Sequence, residues 1–375
     1  MLFARSGATA GKTFLYRKEL GPALFAGYCI RFRFDARRIL PEFVYLYSKT
    51  DRYAAWVRSI QRPSGQPNIN KEEFKSFTIP VPEINEQARL VAALDAARAA
   101  RRERLAQAES LLSGLDAFVL DQLGLALPPP DQSPVHAVSL ADVRGGRCDA
   151  LYYAPRLRRA VELLAKSKLR KEPLGRLSPE LAGGATPTRG DQELYATEGI
   201  RFLRIMNIMP FEIRLEDVKY ITADVHENDL ARSQLRAGDV LMTITGRVGT
   251  TAVVPPDVLP ANINQHIVRM RLVGDAVLPE YLAAYLNSSF GLMLTNRGVT
   301  GGTRIAVDYE AVRQLQIPIP DGKVQAKIAA EVARRREEAR RLRDDAARLW
   351  EQAKADFEAA LLEPPARGQG TKGGR

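Results

Sequence analysis

Apolar and polar positions recur along this chain with two periods, and each predicts a kind of element. From Leu90, core-type positions step by four and three through Leu94, Ala97, Arg101, Arg104, Ala108, Leu111, Leu115 and Val119. From Ile328 the same steps run through Val332, Arg335, Ala339, Leu342, Ala346, Leu349, Ala353 and Phe357. This is a heptad seam in both places. It predicts two long helices, over residues 83–124 and 323–362, each a rod of roughly 60 Å at ~1.5 Å per residue. The strict spacing favours helices that pack on each other over two separate surface helices of a larger domain. Residues 28–34 instead alternate, which puts Ile30, Phe32 and Phe34 on one face of a half-buried strand and Arg31 and Arg33 on the other. Residues 263–272 alternate likewise, with Val268, Met270 and Leu272 inward. Pro41 and Pro279 stand where a first helical turn tolerates proline, and they open short helices over 41–49 and 279–288.

These elements repeat at one constant offset of 238 residues. Leu40-Pro41-Glu42 recurs as Leu278-Pro279-Glu280, and Tyr47 as Tyr285. Arg31 and Arg33 fall on Arg269 and Arg271. Ile79-Pro80-Val81-Pro82 falls on Ile317-Pro318-Ile319-Pro320, and Gln87 on Gln325. Upstream, residues 2–13 match 241–251 with one gap. The heptad seams share the same offset. A fixed register over nearly 60 positions marks an internal duplication.

The order is therefore globular segment, rod, linker, globular segment, rod. The domains expected are 1–82, a partial first globular domain; 83–124, the first long helix; and 125–140, a proline-rich linker. Then follow 141–322, a complete second domain; 323–362, the second long helix; and 363–375, a disordered basic tail. The fold class is α+β, with two mixed domains alternating with two long helices that form an antiparallel coiled coil. A pseudo-twofold axis is the simplest relation between two such units, and it would put the globular segments at opposite ends. The first domain is called partial because Met1 aligns near residue 240, so residues 141–239 have no counterpart in the first half.

Composition narrows the function. The 375 residues include 55 Lys and Arg against 44 Asp and Glu, a net charge of +11. Such an excess suits a polyanionic partner. Most of it, +8, lies in residues 1–82, whereas 125–322 carries only +1. Two cysteines and three scattered histidines make no disulfide framework and no metal motif, so no metal or other cofactor is implied. No apolar run approaches the ~18–20 residues that cross a bilayer, and the first residues do not form a signal peptide, so a cytoplasmic protein is expected.

No stretch carries recognisable catalytic chemistry. Gly7-Ala8-Thr9-Ala10-Gly11-Lys12-Thr13 has three residues between its glycines where a phosphate-binding loop has four, and its repeat partner, 246–251, has no lysine. A glycine-rich turn that offers backbone N–H groups, Arg247, Thr250 and Lys12 to a phosphate backbone fits better, with an ordinary ligand-free turn as the alternative. Asn207-Ile208-Met209-Pro210-Phe211 has the wrong spacing for an amino-methyltransferase motif. The loops 61–68 and 300–304 occupy equivalent places in the repeat. They hold Arg, Gln and Asn, the side chains able to make bidentate contacts with base edges.

The sequence resembles the specificity subunit of type I restriction-modification systems. In the second half the residues that carry this are Gly183-Gly184-Ala185-Thr186-Pro187, Gly199 through Arg204 with Asn207-Ile208, Leu235 through Leu241, and Pro279-Glu280-Tyr281-Leu282. In the first half they are Arg5 through Thr13, Gln66-Pro67-Asn68-Ile69-Asn70, and Ile79-Pro80-Val81-Pro82 followed by Glu86-Gln87. The resemblance implies a non-catalytic, sequence-specific DNA-binding subunit for defence against foreign DNA. Each recognition domain would read half of a bipartite double-stranded target. The paired helices would set the gap, about 17 base pairs for a rod of this length at ~3.4 Å per step. Methyltransferase subunits, docking on the helices, and restriction subunits would be its partners, with no membrane.

On that reading the DNA-binding candidates are Arg5, Lys12, Arg62, Gln66, Asn68, Thr186, Arg189, Arg247, Thr250, Thr303 and Arg304. The helix-packing candidates are Leu90, Leu94, Leu111, Leu115, Ile328, Val332, Leu342, Leu349 and Phe357. Two other readings remain open at this point: a truncated or silent copy of a specificity gene, and a coiled-coil scaffold with no DNA role.

Overall fold

A computed structural model describes residues 1–60, 67–131, 135–144, 147–186, 195–301 and 305–362. The chain divides into two compact units, one of residues 1–109 with 338–375, the other of residues 110–337. Two helices dominate the secondary structure, Ile84–Leu123 and Gly322–Leu362. Each contributes residues to both units, so the structural division falls within the rods. No described helix is long and apolar enough to cross a membrane.

The first unit is built on a three-stranded antiparallel sheet in the order Thr13–Phe14, Leu2–Ala4, Cys29–Arg31. The expected alternation from 28 to 34 is paired only over Cys29–Arg31, while Phe32 and Phe34 still pack against the core. Helix Pro41–Tyr47 starts at its proline, whose missing N–H is not needed in a first turn. Phe43, Tyr47, Tyr53, Ile69 and Phe74 make a core of their own. Leu90, Leu94 and Phe357 from the two long helices close it, with the Phe357 and Phe43 rings 5.7 Å apart. Within this unit the helices run antiparallel. The Arg98 guanidinium lies over Trp350, 5.8 Å from its centroid, and Glu109 pairs with Arg343 further along.

The second unit repeats that plan and adds to it. Strands Thr251–Val253, Val240–Thr243 and Ile267–Met270 form an antiparallel sheet, and Ala182–Gly183 adds a fourth strand beside Ile267–Met270. The registers agree across the duplication. Leu2 pairs with Phe14 and Arg31, as Leu241 pairs with Ala252 and Arg269. A second sheet, absent from the described part of the first unit, joins Ala261–Ile263 in parallel to Ile200–Leu203, followed by Lys219–Ile221 and Tyr195–Ala196. Gln316–Ile319 pairs antiparallel with Arg170–Pro173.

Two sequence expectations are corrected here. Residues 263–272 are not one strand. Ala261–Ile263 and Ile267–Met270 belong to different sheets, and a turn at 264–266 separates them. Nor do Arg269 and Arg271 form a solvent face. Arg269 is only 6% exposed and donates to the carbonyls of Gln234 and Glu180. Arg271 grips the buried Asp239 with two hydrogen bonds of 2.8 and 2.7 Å. Burial holds the Arg269 guanidinium below its ordinary pKa, whereas the Asp239 hydrogen bond raises that of Arg271.

The seam residues Leu115, Ile328 and Val332 are buried in this unit, and Leu111 is half-buried. In the other unit Leu342 and Leu349 are half-buried. Arg101, by contrast, is exposed beside Trp350, so its seam position contributes a stacking contact and not core. The linker residues 132–134 and the tail from 363 lie outside the described residues.

One buried side chain explains how each globular segment is fastened to its helix. Gln87 is fully buried. Its amide nitrogen donates to the carbonyls of Arg38 (3.0 Å) and Pro82 (2.8 Å), and its oxygen accepts from the Leu40 N–H (2.9 Å). Gln325 does the same with Ala276 (3.0 Å), Pro320 (3.0 Å) and Leu278 (2.9 Å). Every partner is displaced by the same 238 residues. The clamp ties three backbone groups, two just before the short helix and one at the end of the Pro-x-Pro run, to the first turn of the rod. A buried amide so satisfied fixes a geometry that an apolar residue could not.

Candidate nucleic-acid interface

In the first unit the glycine-rich segment Gly7–Lys12 turns tightly beside the strand Leu2–Ala4. Gly11 sits at φ +86°, and a Cβ there would lie 2.6 Å from a Val57 methyl carbon, so only glycine fits. Three of the backbone N–H groups expected to face a phosphate are instead spent inside the turn. Ala10 donates to Gly7, Gly11 to Ala4, and Lys12 to Thr9. The same holds in the second unit, where Gly249 donates to Thr243 and Thr250 to Arg247. These hydrogen bonds close the turns and hold their side chains in place.

The side chains fall into distinct settings. Arg5 and Asn68 come together. Ser6 bridges to Asn68, the Ile69 N–H donates to the Arg5 carbonyl at 2.7 Å, and both residues line a 450 Å³ cleft with Tyr28. Lys12 is exposed on the turn whose carbonyl bonds Ala4. In the second unit Arg247 is exposed, yet its guanidinium is held at the carbonyls of Ile205 (3.3 Å) and Ile208 (3.2 Å). Thr250 is 9% exposed and its hydroxyl donates to the Arg247 carbonyl at 3.1 Å, so it supports the turn and presents little surface. Thr186 is exposed and bonded to the Gln265 side chain. Arg62, Gln66, Arg189, Thr303 and Arg304 lie outside the described residues.

Sequence reasoning passed over two exposed residues beside these candidates. Tyr28 lines the Arg5 cleft, and Gln265 adjoins Thr186. Gln265 was hidden because residues 263–272 read as one strand, whereas it occupies the turn between two. Tyr28 stands at the start of an alternating run, where an aromatic reads as strand. Among the described residues no group of three or more His, Cys, Asp or Glu could hold a metal ion.

Residues 2–109 match the family model of the type I restriction modification DNA specificity domain. The chain resembles a type I specificity subunit. No curated protein matches it. Among solved structures, a chain from work on complex assembly and conformational transition of the type I R-M system is 18% identical, with a TM-score of 0.56. That match covers 96% of this chain and 81% of the other, and it shows a shared fold. The HsdS subunit from Thermoanaerobacter tengcongensis is 19% identical over 86% of this chain and 70% of its own, with a TM-score of 0.39. The S subunit from M. genitalium is 10% identical over 97% and 83%, with a TM-score of 0.48. In this specificity-subunit-like chain the matched segment contains the Arg5–Asn68 cleft, the short helix and the Gln87 clamp.

Proposed function

We propose that the protein is the DNA-reading, non-catalytic subunit of a type I restriction-modification complex. The observation that supports this most is the match of residues 2–109 to the specificity-domain model, in a chain whose two units repeat one head-on-helix plan. Each unit reads one half of a bipartite target. In the first, Arg5, Lys12 and Asn68, with Arg62 and Gln66, contact DNA. In the second, Thr186, Arg189, Arg247, Thr303 and Arg304 do so, with Thr250 holding the Arg247 turn. Helices Ile84–Leu123 and Gly322–Leu362 set the number of unread base pairs and carry the methyltransferase subunits, to which restriction subunits add.

The test is the salt dependence of binding to a specific duplex by the chain assembled with its methyltransferase subunits. Each phosphate contact contributes a slope of about −0.9 to log affinity against log salt. Several Lys and Arg contacts therefore give a steep fall and a preference over random duplex. A coiled-coil scaffold with no DNA role gives a flat salt response and no sequence preference, and that outcome would sink the proposal.

A further inference from the structure

Four loops of the second unit meet at one end of its two sheets. They follow the strands that end at Gly183, Leu203 and Thr243, and precede the strand that begins at Ile267. Backbone hydrogen bonds join them. The Asn264 N–H donates to the Leu203 carbonyl at 3.0 Å, and the Ile244 N–H to the His266 carbonyl at 2.9 Å. The turn 264–266 is therefore tied to both sheets. It is also closed on itself. The Asn264 side chain, in a residue only 7% exposed, accepts from the His266 N–H at 3.1 Å, and the Ile267 N–H donates to the Asn264 carbonyl at 3.2 Å. Gln265 stands exposed at the apex of this fixed turn.

A second loop is laid against the turn. The Gly184 N–H donates to the Ile267 carbonyl at 3.4 Å. A Cβ at Gly184 would lie 1.9 Å from the Ile263 carbonyl oxygen and 2.5 Å from that of Asn264, so only glycine allows this approach. Two residues on, the approach brings the Thr186 hydroxyl to the Gln265 side chain, where it bonds to Oε1. An amide oxygen only accepts, so the hydroxyl is the donor and the orientation of the amide is set. The second lone pair of Oε1 remains, and the amide nitrogen has no partner among the described residues. An acceptor and a donor side by side match the N6 amino group and N7 of adenine in the major groove. The neighbouring Arg247 guanidinium is held at the Ile205 and Ile208 carbonyls, whereas this amide edge is clear of such contacts among the described residues.

We propose that Gln265 reads an adenine in the half-site of the second unit, and that Thr186 is the positioning residue that orients its amide. The assignment rests on the DNA-reading function proposed above and names one base for it. A free glutamine side chain loses its rotamer freedom when it binds a base edge. The Thr186 hydroxyl removes part of that freedom beforehand, so the contact is stronger and tied to one orientation. The Thr186 γ-methyl takes no part in this, so the hydroxyl can be tested by itself.

The experiment maps methylation on random-sequence DNA by the full chain assembled with its methyltransferase subunits. Gln265→Ala is expected to relax one adenine position by about 5- to 140-fold, the discrimination of a bidentate base contact, and to leave the other half-site unchanged. Thr186→Val keeps the γ-methyl and removes the hydroxyl, and it relaxes the same position by about 2- to 12-fold. Thr186→Ser restores the preference. In the Gln265→Ala background, Thr186→Val adds no more than about twofold, because its effect passes through the amide. The unchanged half-site shows in every variant that the chain is folded and assembled. A wild-type complex with no base preference would sink the DNA-reading function and this assignment with it. A specific wild type whose pattern Gln265→Ala leaves unchanged, or relaxes at a pair other than adenine·thymine, would overturn the assignment alone. Additive effects of Thr186→Val and Gln265→Ala would overturn the positioning role.

Discussion

Replacing Gln325 by leucine removes three hydrogen bonds at one buried point and leaves the side-chain volume nearly unchanged. The Leu278 N–H and the carbonyls of Ala276 and Pro320 lose their partner, and the site is only 3% exposed, so water does not readily replace it. Each bond contributes about 0.5–1.5 kcal/mol net, so the loss is about 3 kcal/mol, with 1.5–4.5 kcal/mol as the range. For a unit of this size that lowers the melting temperature by roughly 6–12 °C. Gln87→Leu has the same geometry at fully buried Gln87 and should cost a similar amount. Guanidinium unfolding at constant m gives the free energies, and amide exchange at Leu278 and Leu40 shows whether the damage is local. A change below about 0.5 kcal/mol in either variant would refute the claim that the amide fastens the globular segment to its rod.

Other consequences are equally open to measurement. Phe357→Ala empties a 2%-exposed position against Phe43 and should cost about 3–5 kcal/mol by denaturant unfolding. A cost below 1 kcal/mol would mean that the second long helix does not close the first core. Hydrogen bonds from Arg334 and Arg335 bring the Glu331 carboxyl down to about 2. Its folded pKa is depressed, so its contribution is present above the unfolded value of about 4.3 and is lost as pH falls toward 2. Solvent screening at the exposed Arg334 keeps that contribution under about 1 kcal/mol, and NMR titration of the Glu331 carboxyl reads the pKa directly. A titration near 4.3 would show the arginines elsewhere.

Much of the fold was legible because its signals are periodic. The heptad steps mark both long helices, with Leu90, Leu115, Ile328 and Phe357 all buried, and the proline-led helices start where expected. The duplication gave Gln87 and Gln325 as a matched pair but no role for them, because their partners are backbone groups and leave no trace in residue type. Arg269 and Arg271 misled for a related reason. Their alternation reads as a polar face, whereas the groups that bury them come from residues 180, 234 and 239, far away in the chain. The glycine turns were located correctly, but whether their N–H groups point outward depends on ring closures such as Gly11 to Ala4. Thr250 joins the interior for the same reason.

The most direct test of the account is the methylation specificity of the assembled complex, mapped on random-sequence DNA. One variant carries Arg5→Ala and Asn68→Ala in the first unit, and the other carries Arg247→Ala and Arg304→Ala in the second. The account predicts that each pair relaxes one half of a bipartite site and leaves the other half and the spacing intact, at about 1–3 kcal/mol per lost base contact. Unchanged specificity in both variants, or the same change in both, would contradict it.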